Sequence, residues 1–162
     1  MKKMIKKYRK AKGFTLVELL IVIVIIGILA GMMMLSTGAA TDTAEATRIV
    51  SDMRNVKAAC IMYFLDEGEW PGTGAISASV DRYLDIPIHN NTGGATFSIT
   101  SGDNNSLWLN YSDSKNLATG SGVSNKLANM ASRVGLYKNG TTSTTTSPDY
   151  AGGNPVLMII RK

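Results

Sequence analysis

The sequence has little material for covalent or metal cross-links. Its 162 residues include one cysteine, Cys60, and one histidine, His89. A single cysteine cannot form an internal disulfide, so a domain outside the reducing cytoplasm depends on packing alone. A single histidine and a single cysteine also do not complete a familiar zinc-ligand set. We find no nucleophile–base arrangement, phosphate-binding loop or paired-carboxylate motif, and therefore predict no catalytic residues and no enzyme activity.

Charge is almost absent from a long stretch near the N-terminus. Residues 14–35 contain one ionisable side chain, Glu18, and residues 19–35 contain none. As a helix, these 22 residues span about 33 Å, which is enough to cross a bilayer core of roughly 30 Å. A carboxylate inside such a segment is costly unless a partner pairs with it. The sequence therefore predicts a membrane-spanning helix and a cationic partner for Glu18.

Acidic side chains are missing from residues 1–13, which carry seven Lys or Arg. Basic residues beside an apolar span hold that flank in the cytoplasm, so the remainder should face outward. The basic character of the chain resides in this block, because without it Lys and Arg no longer outnumber the 12 acidic residues. No basic cluster remains to neutralise a row of phosphates, so no direct nucleic-acid partner is predicted.

The junction between the basic and apolar segments carries a specific motif. It reads Lys12-Gly13-Phe14-Thr15-Leu16-Val17-Glu18-Leu19-Leu20. Over about residues 6–35 the chain resembles the class III signal sequence of type IV prepilins and type II secretion pseudopilins. The resemblance implies that a prepilin peptidase cleaves between Gly13 and Phe14 and methylates the new amino group of Phe14. It also implies that Glu18 meets the N-terminal amine of a neighbouring subunit in a filament.

The resemblance predicts a structural subunit of a type IV pilus-type filament. Its implied partners are other copies of the chain, related minor pilins, the prepilin peptidase, and an inner-membrane assembly platform with its ATPase. The subunit would cross the cytoplasmic membrane once, N-terminus inside, and then enter an extracellular or periplasmic filament. One alternative is a pseudopilin of a type II secretion or DNA-uptake system.

Two further alternatives fit the N-terminus less well. One is a secreted soluble binding module whose ordinary signal peptide ends near Gly38-Ala39-Ala40. The apolar run is longer than the usual ~7–15 residues of such peptides, and it contains Glu18. The other is a plain single-pass anchored protein, which leaves the Gly13-Phe14 junction unexplained.

Apolar residues continue at helical spacing beyond the membrane segment, which predicts an amphipathic helix ending near Gly68. Gly27 and Gly31 allow close helix approach, and the resemblance implies helix flexibility around Gly27. The predicted segments are a removable leader (1–13), a transmembrane and filament-core helix (14–35), an amphipathic half-helix (36–68) and a globular head (69–162).

The remainder predicts a small mixed domain. Its expected parts are a short helix near residues 79–84, a hairpin of strands 95–100 and 106–111, a helix capped by Ser124, and a last strand over 155–160. The unbroken apolar run of that last strand is typical of a central strand. The predicted fold class is α+β, with a small antiparallel sheet packed on the amphipathic half-helix, which matches the pilin fold that the resemblance implies.

Other candidate sites are weak. Asp103, Asn104 and Asn105 could supply oxygens to calcium, but turn chemistry explains them equally well. We therefore predict no metal and no other cofactor, with calcium as an open alternative. Cys60 lies on the apolar stripe of the helix and is expected to be an inert core residue.

Overall fold

A computed structural model of the protein describes residues 13–88, 95–102, 105–138 and 147–162. His89, Asp103 and Asn104, which the sequence singled out, lie outside the described residues. The chain divides into two compact units, one up to Gly38 and one from Ala39 to Lys162.

The first unit holds the N-terminal part of helix α1, which spans Leu16–Glu67. From Leu16 to Met34 its large apolar side chains are all at least 50% exposed. Within the described residues, α1 is long and apolar enough to cross a membrane, and nothing in the chain buries that stretch. The predicted apolar helix is therefore present, and the described part of the chain does not cover its large apolar side chains.

In the second unit, α1 is amphipathic and ends where the sequence predicted. Gly68 follows the helix with a φ of 76°, and its N–H donates to the carbonyl of Phe64 at 3.0 Å. A glycine in this left-handed conformation is a common helix stop. Trp70 then stacks on Phe64, with ring centroids 4.3 Å apart. The buried face of this half-helix consists of Ala46, Ile49, Val50, Met53, Val56 and Cys60.

A four-stranded antiparallel sheet packs against that face. Its strands are β1 (Gly74–Ala75), β2 (Ala95–Ser101), β3 (Leu107–Asp113) and β4 (Val156–Arg161), in the order β1-β2-β3-β4. The predicted hairpin is confirmed, because β2 pairs with β3 along its whole length. The sequence did not reveal β1, which has only two residues.

The last strand lies at the edge of the sheet, so its prediction as a central strand was wrong. Its backbone is nevertheless covered at one point, because Tyr137 and Leu157 each donate a backbone hydrogen bond to the other at 2.9 Å. Leu157 also packs with Trp108 and Tyr137 on the outer face of the sheet. The continuous apolar run of β4 is therefore explained by cover on both faces of the strand, and not by a central position in the sheet.

Two helices complete the head. They are α2 (Ala78–Asp81), which accounts for the predicted short helix, and α3 (Gly122–Val134). The N-cap of α3 is Ser121, not Ser124, because the Ser121 hydroxyl accepts the Ser124 N–H at 3.1 Å. The hydroxyl of Ser124 is buried and instead accepts the N–H of Gly153 at 2.8 Å. Ser124 thus ties α3 to the segment before β4.

Cys60 occupies the core between α1 and the sheet. Its side chain is fully buried, and burial raises the pKa of the thiol to about 11. A thiol that stays protonated is a poor nucleophile and a poor metal ligand. The structure agrees with the interpretation of Cys60 as an inert core residue.

The connection after β3 is organised by the buried carboxylate of Asp113. It accepts the backbone N–H groups of Lys115 (2.8 Å) and Asn116 (3.2 Å), and the Asn116 side chain at 2.9 Å. The hydroxyl of Tyr111 donates to it at 3.2 Å. Burial opposes ionisation, but these hydrogen bonds together hold the pKa of Asp113 below its usual range.

Candidate processing and assembly site

The start of α1 is fixed by a reciprocal pair of hydrogen bonds between Thr15 and Glu18. The backbone N–H of Thr15 donates to Oε2 of Glu18 at 2.8 Å, and the Thr15 hydroxyl donates to the same oxygen at 2.8 Å. In return, the Glu18 N–H donates to Oγ1 of Thr15 at 3.2 Å. This is a capping box, which satisfies backbone donors that the first turn of a helix leaves unpaired.

The sequence analysis did not identify this role, although the signal was present. Thr15 is followed by a glutamate three residues later, which is the spacing of a capping box. From the sequence, Glu18 is predicted only to need a cationic partner. The structure shows that it also has a local partner within its own chain.

Glu18 remains open to a second partner. Among the described residues, Oε2 receives both bonds from Thr15 and Oε1 receives none. The side chain is exposed among the residues that the structure describes. A donor from outside the chain can therefore reach Oε1 without breaking the capping box.

The predicted cleavage point lies just ahead of the helix. Gly13 and Phe14 are not helical, and the Phe14 side chain is 87% exposed. A Cβ built on Gly13 would meet nothing within 4 Å. The Gly13–Phe14 bond is therefore accessible in this structure, four residues before Glu18.

The two membrane-segment glycines show no close contact within the chain. A Cβ added at Gly27 or at Gly31 would meet no atom within 4 Å outside its local helix backbone. Their spacing places them on one face of α1. Roles in packing and flexibility stay predictions that depend on other chains.

The candidate calcium loop is described only at Asn105. This residue has a φ of 61°, and its carbonyl accepts a hydrogen bond from the guanidinium of Arg161. In the described part of the chain, no group of three or more His, Cys, Asp or Glu is arranged to hold a metal ion. Calcium binding stays a prediction.

Comparisons with known proteins converge on this N-terminal site. The prokaryotic N-terminal methylation motif matches residues 8–34, a range that includes Gly13, Phe14 and Glu18. A fimbrial protein of Neisseria meningitidis serogroup B is 43% identical over 75 residues, covering 46% of this chain and 44% of the relative. The type IV major pilin protein PilE1 of Neisseria gonorrhoeae is 34% identical over 104 residues, covering 59% and 62%. The chain is therefore similar to type IV pilins and pseudopilins over its matched part.

The pseudopilin branch of this family matches as well. Type II secretion system core protein G of Pseudomonas aeruginosa is 38% identical over 65 residues, which cover 40% of this chain and 46% of that protein. The match to the fimbrial protein of N. meningitidis spans less than half of that relative's length. No solved structure matches the chain significantly. The similarity therefore supports the pilin and pseudopilin branches alike.

Proposed function

We propose that the protein is a structural subunit of a type IV pilus-type filament. The observation that carries this proposal is Glu18, which lies inside the matched methylation motif just ahead of the uncharged, exposed stretch of α1 and has one carboxylate oxygen without a donor among the described residues. The capping box gives Glu18 a local role, but a membrane anchor alone gives no reason to leave one of its carboxylate oxygens without a donor in an apolar segment. Assembly through a cationic partner does.

In this proposal the capping box and the assembly contact act in sequence. While the subunit waits in the membrane, the Thr15 N–H and hydroxyl are the donors to Glu18. Removal of residues 1–13 by a prepilin peptidase creates a new amine on Phe14, and methylation leaves that amine cationic. A neighbouring Phe14 amine can then donate to Oε1 of Glu18 while Thr15 remains bound to Oε2.

Assembly would also cover the apolar side chains that the first unit exposes. The large apolar side chains of Leu16–Met34 have no cover within the chain. When a subunit leaves the bilayer, the same side chains must be buried against α1 helices of other copies, because exposing them to water is unfavourable. Glu18 then fixes the register, since a misplaced subunit would leave a carboxylate uncompensated among apolar side chains.

The remaining partners belong to the same proposal. A family member of this kind would require the peptidase, an inner-membrane assembly platform with its ATPase, and related minor pilins. The subunit would cross the cytoplasmic membrane once, with residues 1–13 inside, before joining an extracellular or periplasmic filament. The basic block ahead of α1 supports that orientation.

A pseudopilin of a type II secretion system is the second candidate. The match to core protein G of P. aeruginosa favours it, at an identity comparable to that of the pilin matches. The described head also does not depend on a disulfide, because Cys60 is buried and free. The two candidates differ in where the assembled protein accumulates and in whether its loss stops secretion.

Intact-mass and N-terminal analysis of the protein from surface shear fractions and from membranes tests both candidates. We expect a chain that begins at Phe14 and carries one added methyl group. Abundance in the shear fraction would favour the pilus, whereas retention in the envelope with a secretion defect on deletion would favour the pseudopilus. A chain that begins near Thr41 would overturn both and indicate a secreted domain.

A further inference from the structure

A groove in the head carries two cations that lack an ion-pair partner. It has a volume of about 250 Å³ and lies between α1, the end of α3 and the edge of the sheet. Arg54 and Lys57 of α1 line it, and Val134, Tyr137 and Ile159 supply its apolar surface. Among the described residues, neither Arg54 nor Lys57 forms an ion pair. The groove therefore presents positive charge beside an apolar surface.

The C-terminal end of α1 has the opposite character. Asp66, Glu67 and Glu69 follow one another at a helix end, where the helix dipole disfavours negative charge. Arg82 pairs with Glu67 at 3.3 Å, and Tyr83 donates to Asp66 at 2.8 Å. Within the described chain, Arg82 is the cation that pairs with this group of three exposed carboxylates. Glu69 has no ion pair in that part of the chain.

An uncovered apolar strip joins these two charged regions. Lys57, Ile61 and Leu65 recur every four residues, so they lie on one face of α1. Ile61 is 37% exposed and Leu65 is 74% exposed. A strip of this kind on the solvent side of an amphipathic helix marks a candidate contact surface.

We propose that the groove at Arg54 and Lys57 receives the acidic end of α1, Asp66–Glu69, from a second copy of this chain. This inference rests on the proposed filament function. The neighbour's acidic end would supply the missing anions and cover the strip at Ile61 and Leu65. Complementary charges of this kind fix register and orientation in protein interfaces.

The geometry defines how the two copies are related. The basic and acidic positions are 9 to 15 residues apart along α1 and the two residues that follow it, which corresponds to about 14–22 Å at ~1.5 Å per residue. Copies drawn from one membrane share one orientation, so an antiparallel pair does not form between them. A parallel copy shifted along the helix by that distance places Glu69 of one subunit beside Lys57 of the other.

Reciprocal charge exchange in the full chain tests the electrostatic part of the contact. We expect Lys57→Glu and Glu69→Lys each to lower the yield of sheared filaments at least about tenfold, since like charges at an interface are strongly unfavourable. The double variant should restore the yield. Lys115→Glu, which makes the same charge change at an exposed residue outside the groove, serves as the control and should assemble normally. Normal filaments from both single variants would overturn the proposal.

A disulfide test measures the proximity directly and does not depend on yield. In a Cys60→Ala background, Lys57→Cys and Glu69→Cys are combined in one chain and mild oxidant is applied to sheared filaments. The two positions are too far apart on one helix to bridge within a subunit. A ladder of disulfide-linked multimers is expected, and either cysteine alone should give monomers. Filaments without a ladder overturn the interface but not the filament function, whereas a Cys60→Ala parent and wild type that never form filaments overturn that function instead.

Discussion

The carboxylate of Asp42 lies against Gly122, the first residue of α3. A Cβ added at Gly122 would overlap Oδ2 and Cγ of Asp42, so a side chain at this position requires the Asp42 carboxylate to move. Gly122 does not have a positive φ, which means that space and not backbone conformation requires the glycine. This contact lies between α1 and α3 in the second unit.

Gly122→Ala should therefore destabilise the head by about 1 kcal/mol or less, at the low end of overpacking costs, because the Asp42 side chain can move aside. In an Asp42→Ala background the same substitution should be neutral or stabilising, because the clash is gone and alanine is the better helix former by roughly 0.5–1 kcal/mol. Urea unfolding of the detergent-solubilised protein, followed by tryptophan fluorescence, measures both changes. Equal effects in the two backgrounds would show that Asp42 and Gly122 do not interact.

Glu18→Ala and Glu18→Gln separate the two roles of this carboxylate. Glutamine can still accept the Thr15 N–H and complete a capping box, but it cannot form an ion pair with an amine. We expect both variants to enter the membrane and to be cleaved after Gly13, and neither to yield normal filaments. Filament recovery in shear fractions and the mass of the mature chain are the measurements. Normal assembly of Glu18→Ala would refute the pairing mechanism, and rescue by glutamine alone would assign the effect to the cap.

Asp113 should make the stability of the head depend on pH in the acid range. Because its pKa is lowered in the folded state, its contribution is complete above the ordinary carboxyl pKa of about 4 and is lost as the pH falls through the lower folded value. Asp113→Asn should cost about 1.5–3 kcal/mol at neutral pH, the range for hydrogen bonds to a charged group. It should also flatten the acid limb of a plot of unfolding free energy against pH. Asp149→Asn, at an exposed carboxylate, is the matched control.

Cys60 should resist alkylation in the folded protein. With a pKa of about 11, its thiolate fraction at pH 8 is on the order of a hundredfold below that of an unperturbed thiol with a pKa near 8.5, and the side chain is buried. Mass spectrometry after iodoacetamide treatment, with and without urea, measures the difference. Similar rates in the two conditions would mean that the core around Cys60 opens readily.

Periodicity was enough to predict the main elements. The apolar stripe that begins at Ala46 predicted the buried face of α1, and the two alternating segments around Phe97 and Trp108 predicted the β2–β3 hairpin. Both patterns arise from contacts that are repeated along a whole element, so one unexpected residue does not hide them. The Gly13-Phe14 junction and Glu18 were singled out because their motif is short and specific, and their roles stay predictions.

The features that sequence reasoning missed each depend on a single contact between distant residues. Tyr137 covers the backbone of β4, and this made an edge strand look central. Ser121 precedes a glycine that accommodates Asp42, and this placed the start of α3 three residues earlier than Ser124 suggested. No pattern along the chain predicts these contacts between distant residues, because they depend on how the helices and strands pack against each other.

The absence of a disulfide in the head also has a mechanical consequence. Cys60 is the single cysteine and is sealed in the core, so the described fold is held by non-covalent contacts alone. Stretching a filament of such subunits could open a head without breaking a covalent bond, and the head could close again without an oxidant or thiol exchange. The fibre would yield under load and recover its length when the load is removed.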